Sequence, residues 1–315
     1  MAITNLPTLK QLRHLLALAE YGHFGRAAEA SHVTQSTLSA SIKELEQVLG
    51  AQLVDRTKRR VTVTPLGQTV VAKARVLLQE AEDLVETARA NQAPLSGPLQ
   101  LGVIPTIGPF LLPRVLPLLR RRHPDLKLYL TEDLTERLLE QLHAGKLDLA
   151  LIALPYDMPG LEQAAVGEDP FSVALPEKHE LAKLDRIDPD SLERGPLLLL
   201  RDGHCLREHA LAACRLSNRG PGGGHVDAFQ ATSLYTLVQM VENGLGLTLL
   251  PKLALDAGIL KGTHLVTRPI AGKSQARELA LVWRRGSARR EEFELMAGLL
   301  RQTLTGTKVE KAERP

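Results

Sequence analysis

The stretch Phe24-Gly-Arg-Ala-Ala-Glu-Ala-Ser-His-Val-Thr-Gln-Ser-Thr-Leu-Ser39 decides the N-terminal fold. Its first half reads as a short helix in which Ala27 and Ala28 suit close packing, and His32-Val33 reads as a turn. Thr34 then stands where a side-chain oxygen can N-cap a new helix by accepting first-turn backbone N–H groups. In that helix Leu38, Ile42, Leu45 and Leu49 recur at four-, three- and four-residue steps and form a buried stripe. The other face carries Gln35, Ser36, Thr37, Ser39, Ser41 and Lys43, hydrogen-bonding groups with one cation. Base edges and phosphates in a DNA major groove call for that chemistry. Upstream, Leu9, Leu12, Leu15, Leu16 and Ala19 mark a first helix that Gly22 ends, so residues 8–49 hold three short helices.

Downstream lies Val54-Asp-Arg-Thr-Lys-Arg-Arg-Val-Thr-Val-Thr64. A basic turn between alternating β-branched residues reads as a hairpin, the wing of a winged helix-turn-helix. It places Arg56, Lys58, Arg59 and Arg60 for phosphate contact. Residues 1–65 hold eight Lys or Arg against five Asp or Glu, an excess equal to the net +3 of all 315 residues. The plainer reading, a helical interaction module with a solvated face, leaves this hairpin unexplained, so the residues favour DNA binding. Pro65 then opens a long helix at its first position. Its narrow seam of Leu66, Val70, Ala74, Leu77, Ala81, Leu84 and Ala88 suits pairing with a second copy of itself. A helix lying on its own core is the alternative. A dimer would present two recognition helices to a two-half site.

A composition of 44% hydrophobic and 24% charged residues fits a soluble chain of two or three domains. No apolar run approaches the roughly 18 residues of a membrane span, and the start shows no signal peptide, so a cytoplasmic location without membrane contact is expected. After the linker Ser96-Gly-Pro98, strands are expected at 99–104, 126–130, 147–154, 171–175, 197–200, 245–250 and 279–283. Helices are expected at 110–122, 135–143, 206–216, 234–243 and 289–303. Such alternation predicts parallel sheets with helices on both faces, and ligands outside the carboxyl ends of strands. Pro105-Thr106 and Thr131 stand at two such ends.

Both cysteines fall in Arg201-Asp-Gly-His-Cys-Leu-Arg-Glu-His-Ala-Leu-Ala-Ala-Cys214, beside His204, Arg207 and His209. A thiol near positive charge ionises more readily than at its ordinary pKa of about 8.5, and a second thiol can resolve an oxidised first one. The cluster therefore has the make-up of a redox site. A helix through it sets Cys205 and Cys214 on opposite faces about 13 Å apart along the axis. A disulfide needs Cα atoms about 4.4–6.8 Å apart, so bridging would require that helix to unwind. Three other readings share the residues. The cysteines can be buried apolar fillers. His204, Cys205, His209 and Cys214 can hold zinc, though the spacing matches no paired ligand pattern. They can also form a permanent disulfide, which a reducing cytoplasm disfavours.

The stretches His23-Phe-Gly-Arg-Ala-Ala28, Val33-Thr-Gln-Ser-Thr-Leu-Ser39, Thr64-Pro-Leu-Gly67 and Ser96-Gly-Pro-Leu99 resemble LysR-type transcriptional regulators, over essentially the whole chain. Gly203-His-Cys-Leu-Arg207 with Cys214, Gly102-Val-Ile-Pro-Thr-Ile-Gly-Pro109 and Ala231-Thr-Ser-Leu234 resemble the peroxide-sensing OxyR branch. The resemblance implies an α/β protein with an N-terminal winged helix-turn-helix (1–65) and a long linker helix for dimerisation (66–95). A periplasmic-binding-protein-like, redox-sensing regulatory domain (96–305) follows, of two α/β subdomains: 96–167 with 270–305, and 168–269. A disordered tail (306–315) ends the chain. The resemblance further implies a peroxidatic Cys205 and a resolving Cys214, with Thr106, Thr135, His204, Arg207 and Arg277 around the sensing thiol. It implies hydrogen peroxide as the signal, antioxidant genes as targets, and promoter DNA, RNA polymerase and a thiol reductant as partners. Self-association would reach a tetramer, and no enzyme activity, cofactor or metal is expected. Read from the residues alone, both threonines have a plainer role, Thr106 ending a strand and Thr135 capping a helix. Glu208 and Ser36 depart from the family's frequent Asp and Pro, and Arg219-Gly-Pro-Gly-Gly-Gly224 predicts a flexible segment. A LysR-type regulator of a small organic effector, with incidental cysteines, is the other reading. A thiol peroxidase with a vestigial DNA-binding domain is a third.

Overall fold

The computed structural model describes residues 6–56, 61–89, 94–194, 196–213, 231–272 and 276–306. Lys58, Arg59, Arg60, Cys214, the glycine-rich 219–224 and the tail from 307 lie outside the described residues, as does the side chain of Arg56. The chain divides into two compact units, residues 1–91 and 92–315.

In the first unit α1 (Leu9–Tyr21), α2 (Phe24–Ala30) and α3 (Gln35–Leu49) follow their local signals. Thr8 and Gln11 form a reciprocal capping box at α1, and Gly22 ends that helix at φ 60°. Thr34 caps α3 by accepting the Thr37 N–H. The three helices bury Leu12, Leu15, Leu18, Ala27, Ala28, Leu38, Ile42 and Leu45 in one core. Strands β1 (Val54–Arg56) and β2 (Val61–Val63) pair antiparallel as the expected wing. The 25-residue helix α4 (Pro65–Arg89) starts beneath them, and Thr64 Oγ1 accepts the Gly67 N–H at 2.9 Å. A Cβ at Gly67 would stand 2.2 Å from the Leu53 carbonyl oxygen, so wing and helix meet through a glycine.

The second unit holds a seven-stranded sheet in the order β4-β3-β5-β9-β6-β7, with β8 also on β6. Strand β3 (Gly97–Val103) is flanked in parallel by β4 (Leu126–Glu132) and β5 (Leu149–Leu154). Helices α5 (Gly108–Arg122) and α6 (Thr135–His143) make the crossovers. The 16-residue β6 (Leu161–Pro176) pairs through its first part with β9 (Ala276–Arg284), and through its last part with β7 (Thr248–Pro251) and β8 (Leu265–Pro269). Helices α7 (Cys205–Ala213), α8 (Leu234–Glu242), α9 (Lys252–Asp256) and α10 (Arg290–Thr305) complete the unit.

The parallel expectation needs correction. Every pairing of β6, together with β5–β9, is antiparallel, and the sheet is mixed. Leu279 to Trp283 are buried without interruption. A strand covered on both faces loses the alternation that distinguishes antiparallel strands in sequence, so its apolar run does not report direction. The strand expected at 197–200 reduces to isolated bridges from Leu197 to Leu247 and from Leu200 to Ala231. The helix expected to run to 216 is described only to Ala213.

Candidate functional site

Gly203 adopts φ 92°, a conformation suited to glycine, and turns the chain so that α7 begins at Cys205. Cys205 is a free, buried thiol, 9% exposed. Above it stand Thr106, three residues beyond the end of β3, and Thr135, the first residue of α6. Ile104, Pro105, Thr106, Leu134, Thr135, Gly203, His204 and Cys205 line a narrow, tightly packed recess. It opens at the carboxyl end of β3, where parallel strands offer a ligand site. Thr131 lines none of it.

Arg277 enters from β9, wholly buried. Its Nε and Nη2 donate to Asp169 Oδ2 at 3.1 and 2.9 Å. Its Nη1 donates to Thr106 Oγ1 at 2.7 Å and Nη2 to the Thr106 carbonyl at 2.9 Å. Asp169 lies opposite Arg277 in the β6–β9 register and accepts the Leu253 N–H at 2.8 Å through Oδ1. Sequence reading missed Asp169 because residues 161–170 carry no continuous apolar run. An acid beside Pro170 at the edge of a buried strand was the only signal.

The electrostatics reverse one expectation. The Cys205 thiol is pushed up from its ordinary value, because burial outweighs the charge of Arg277 and the hydroxyl of Thr135. His204 is pushed down by burial and then by Arg201, and His209 falls to about 4 through burial and Arg277. Both imidazoles are therefore neutral near pH 7, not the cations the sequence suggested. Arg207, with Nε 2.9 Å from Asp202 and Nη1 3.5 Å from the Leu200 carbonyl, is held by these partners and does not line the recess. Of the residues expected around the thiol, the structure brings Thr106, Thr135, His204 and Arg277 together.

Thr135 is not a cap, which overturns its plainer reading. Leu134 is the N-cap residue of α6 and no side chain caps that helix. Thr135 Oγ1 is buried without a hydrogen bond of good geometry, although it faces Cys205 closely enough to favour the thiolate. His209, one turn beyond Cys205 on α7, likewise buries Nδ1 without a partner. Among the described residues, no three His, Cys, Asp or Glu side chains are grouped to hold a metal ion, and no helix is long and apolar enough to cross a membrane.

On the first unit, Gln35, Ser36, Thr37 and Lys43 are exposed along α3. Thr34 Oγ1 pairs with the hydroxyls of Ser36 and Thr37 at 2.9 and 2.8 Å, and Ser39 is half-buried. Ser41 departs from the expected polar face. Its hydroxyl lies 2.8 Å from Nδ1 of the buried His14 and helps seat α3 on α1.

Comparison with known proteins fits both units. Residues 9–68 match the "Bacterial regulatory helix-turn-helix protein, lysR family", and residues 92–305 match the "LysR substrate binding domain". The HTH-type transcriptional regulator EstR of Acinetobacter baylyi is 41% identical over 298 residues, 94% of this chain and 97% of the relative. The hydrogen peroxide-inducible genes activator of Dickeya chrysanthemi is 40% identical over 294 residues, 93% of this chain and 95% of the relative. The solved structure of a full-length OxyR variant from Pseudomonas aeruginosa superposes with TM-score 0.77 at 36% identity, covering 94% of this chain and 98% of that one. From its recognition helix to the sheet that carries Arg277, the chain belongs to the LysR family of bacterial helix-turn-helix transcriptional regulators.

Proposed function

We propose that this chain is a non-enzymatic transcription regulator that senses hydrogen peroxide by reversible Cys205–Cys214 disulfide formation and controls antioxidant genes. The observation that carries the reading is a free thiol at the head of a helix, set against Thr106, Thr135 and Arg277 and nine positions before a second cysteine. Likeness to relatives named as peroxide-inducible activators supports it. The Cys205 thiolate attacks one peroxide oxygen, the O–O bond breaks, and sulfur becomes a sulfenic acid. Hydroxide leaves and takes up the thiol's proton as water. The Cys214 thiol then attacks that sulfur, and the disulfide forms with loss of a second water. Intact α7 spans nearly the whole interval, about 13 Å for nine helical steps, so condensation unwinds it. A dithiol reductant resets the switch.

The division into 1–65, 66–95 and 96–305, with subdomains near 96–167 plus 270–305 and 168–269, belongs to the same proposal. The change of partner along β6, from β9 up to Pro170 to β7 and β8 beyond it, supports the two subdomains. Gln35, Ser36, Thr37, Ser39 and Lys43 read promoter DNA, with Thr34 holding the head of α3 and 56–60 on the phosphates. Exposed Leu66, Val76, Leu77 and Leu84 support dimerisation through α4, and from there a tetramer. RNA polymerase in the cytoplasm is the transcriptional partner.

The test is peptide mass spectrometry after near-stoichiometric hydrogen peroxide, with free thiols alkylated. A Cys205–Cys214 bridge that forms within seconds and reverses with dithiol supports the switch. Unmodified thiols overturn it. A regulator of a small organic effector would instead keep its response in Cys205→Ser and Cys214→Ser variants. A thiol peroxidase would show sustained peroxide turnover.

A further inference from the structure

The buried carboxylate of Asp169 has no part in the scheme above, yet every strong contact of Arg277 runs to it or to Thr106. The guanidinium carries five N–H groups. Four hydrogen bonds reach Asp169 Oδ2, Thr106 Oγ1 and the Thr106 carbonyl. One Nη1 N–H is left with no partner among the described residues. The Thr106 hydroxyl is constrained in the same way: it accepts from Nη1, so its own proton must point elsewhere. Thr106 lines the recess with Cys205 and Thr135, and the buried Thr135 hydroxyl faces the Cys205 thiol.

We propose that Asp169 is a positioning residue for oxidation of Cys205: it clamps Arg277 by two bonds, so that the guanidinium holds Thr106 with its hydroxyl proton turned into the recess as a donor to the departing peroxide oxygen. The inference rests on the peroxide-sensing reading. In the step served, the Cys205 thiolate forms an S–O bond to the near oxygen of hydrogen peroxide while the O–O bond breaks. Sulfur is oxidised by two electrons and each peroxide oxygen is reduced by one, the O–O bonding pair leaving with the far oxygen. Negative charge grows on that far oxygen, which leaves as hydroxide and becomes water by taking the proton the thiol gave up. A fixed hydroxyl donor stabilises charge that grows in the transition state more than it stabilises bound peroxide.

Asp169 has a second effect through the same contacts. As a buried anion bonded to Arg277, it neutralises the cation that draws the Cys205 thiol toward ionisation. It therefore gives up thiolate population in exchange for a placed donor. The Leu253 N–H on Asp169 Oδ1 and the β6–β9 register keep the carboxylate itself in place.

Two quantities separate this role from general support of the fold. They are the limiting oxidation rate at high pH, where the thiol is fully ionised, and the midpoint of the pH–rate profile. Both would be read by rapid mixing of the full-length reduced protein with hydrogen peroxide, followed by alkylation and quantification of Cys205. Asp169→Asn is expected to lower the limiting rate at least tenfold and move the midpoint to lower pH, since Arg277 loses its neutralising partner. Asp169→Glu should recover part of both. Thr106→Val should lower the limiting rate by a similar factor and leave the midpoint near that of the unaltered protein. If Asp169→Asn does not fold, Asp169→Glu and Thr106→Val carry the test. A folded Asp169→Asn with unchanged rate and midpoint overturns the proposal, as does a Thr106→Val that reacts at the full limiting rate. If the unaltered protein leaves Cys205 unoxidised, the peroxide-sensing reading fails first and the role of Asp169 falls with it.

Discussion

Cys205 sits where two effects of similar kind oppose each other, and burial is the larger. The same burial acts on His209, whose pKa of about 4 lies below the ordinary 6.5 because desolvation and Arg277 both disfavour the imidazolium. A depressed folded-state pKa means that the unfolded chain binds the proton more readily. The stability this confers is complete above about pH 6.5 and is lost as pH falls from there toward 4. His204 is shifted in the same direction and adds to the slope. Denaturant midpoints of the regulatory unit should therefore fall between pH 7.5 and pH 4.5. His209→Gln, which cannot take up that proton, should flatten the dependence. A variant as pH-sensitive as the unaltered protein would show that the slope arises elsewhere.

At the scale of elements, the proposed switch is a contest between the α7 helix and a disulfide. Ala212 is exposed on α7, so Ala212→Gly alters helix propensity with little loss of packing. Glycine costs up to about 1 kcal/mol in a helix relative to alanine. If unwinding limits condensation, Ala212→Gly should close the disulfide up to about fivefold faster while Cys205 is oxidised at an unchanged rate. Following sulfenic acid and disulfide separately by mass spectrometry checks both halves. The wing offers a steric counterpart. Gly67→Ala would drive a methyl against the Leu53 carbonyl at 2.2 Å and the Val63 side chain at 2.7 Å. Overpacking of this kind costs about 1–3 kcal/mol. Lower thermal stability of the DNA-binding unit, with weaker promoter binding in gel shifts, is the expected result.

For the whole molecule, charge and sheet topology divide the work. The basic excess lies in the first 65 residues, although the chain as a whole is nearly balanced. Lys43 is exposed on α3 and is expected on a phosphate. Lys43→Ala should weaken binding to every sequence about equally and reduce the slope of log affinity against log salt by about one. A loss confined to one base position would instead mark Lys43 as a base-reading residue. In the second unit, β6 carries Asp169 into register with Arg277 and then continues into the β7–β8 pairing, so one strand ties the thiol's surroundings to both parts of the sheet.

The helix-turn-helix, its Thr34 cap, the wing and α4 were legible in the sequence because each depends on neighbours within a few residues. Caps, heptad-like spacing and β-branched alternation are local codes. The paired cysteines and their helix were legible for the same reason. The state of the thiol was not. Its raised pKa follows from how deeply folding buries it, and the neutrality of His204 and His209 follows from the same enclosure. Asp169 escaped notice because it meets Arg277 across 108 residues of chain, through a strand pairing that no local pattern encodes. The direction of β9 escaped because a fully buried strand has the same composition whichever way it runs. The sequence by itself determined which residues could do redox chemistry and read DNA. Only the tertiary structure decided their ionisation and partners, because desolvation and long-range pairing exist only once distant segments are packed together.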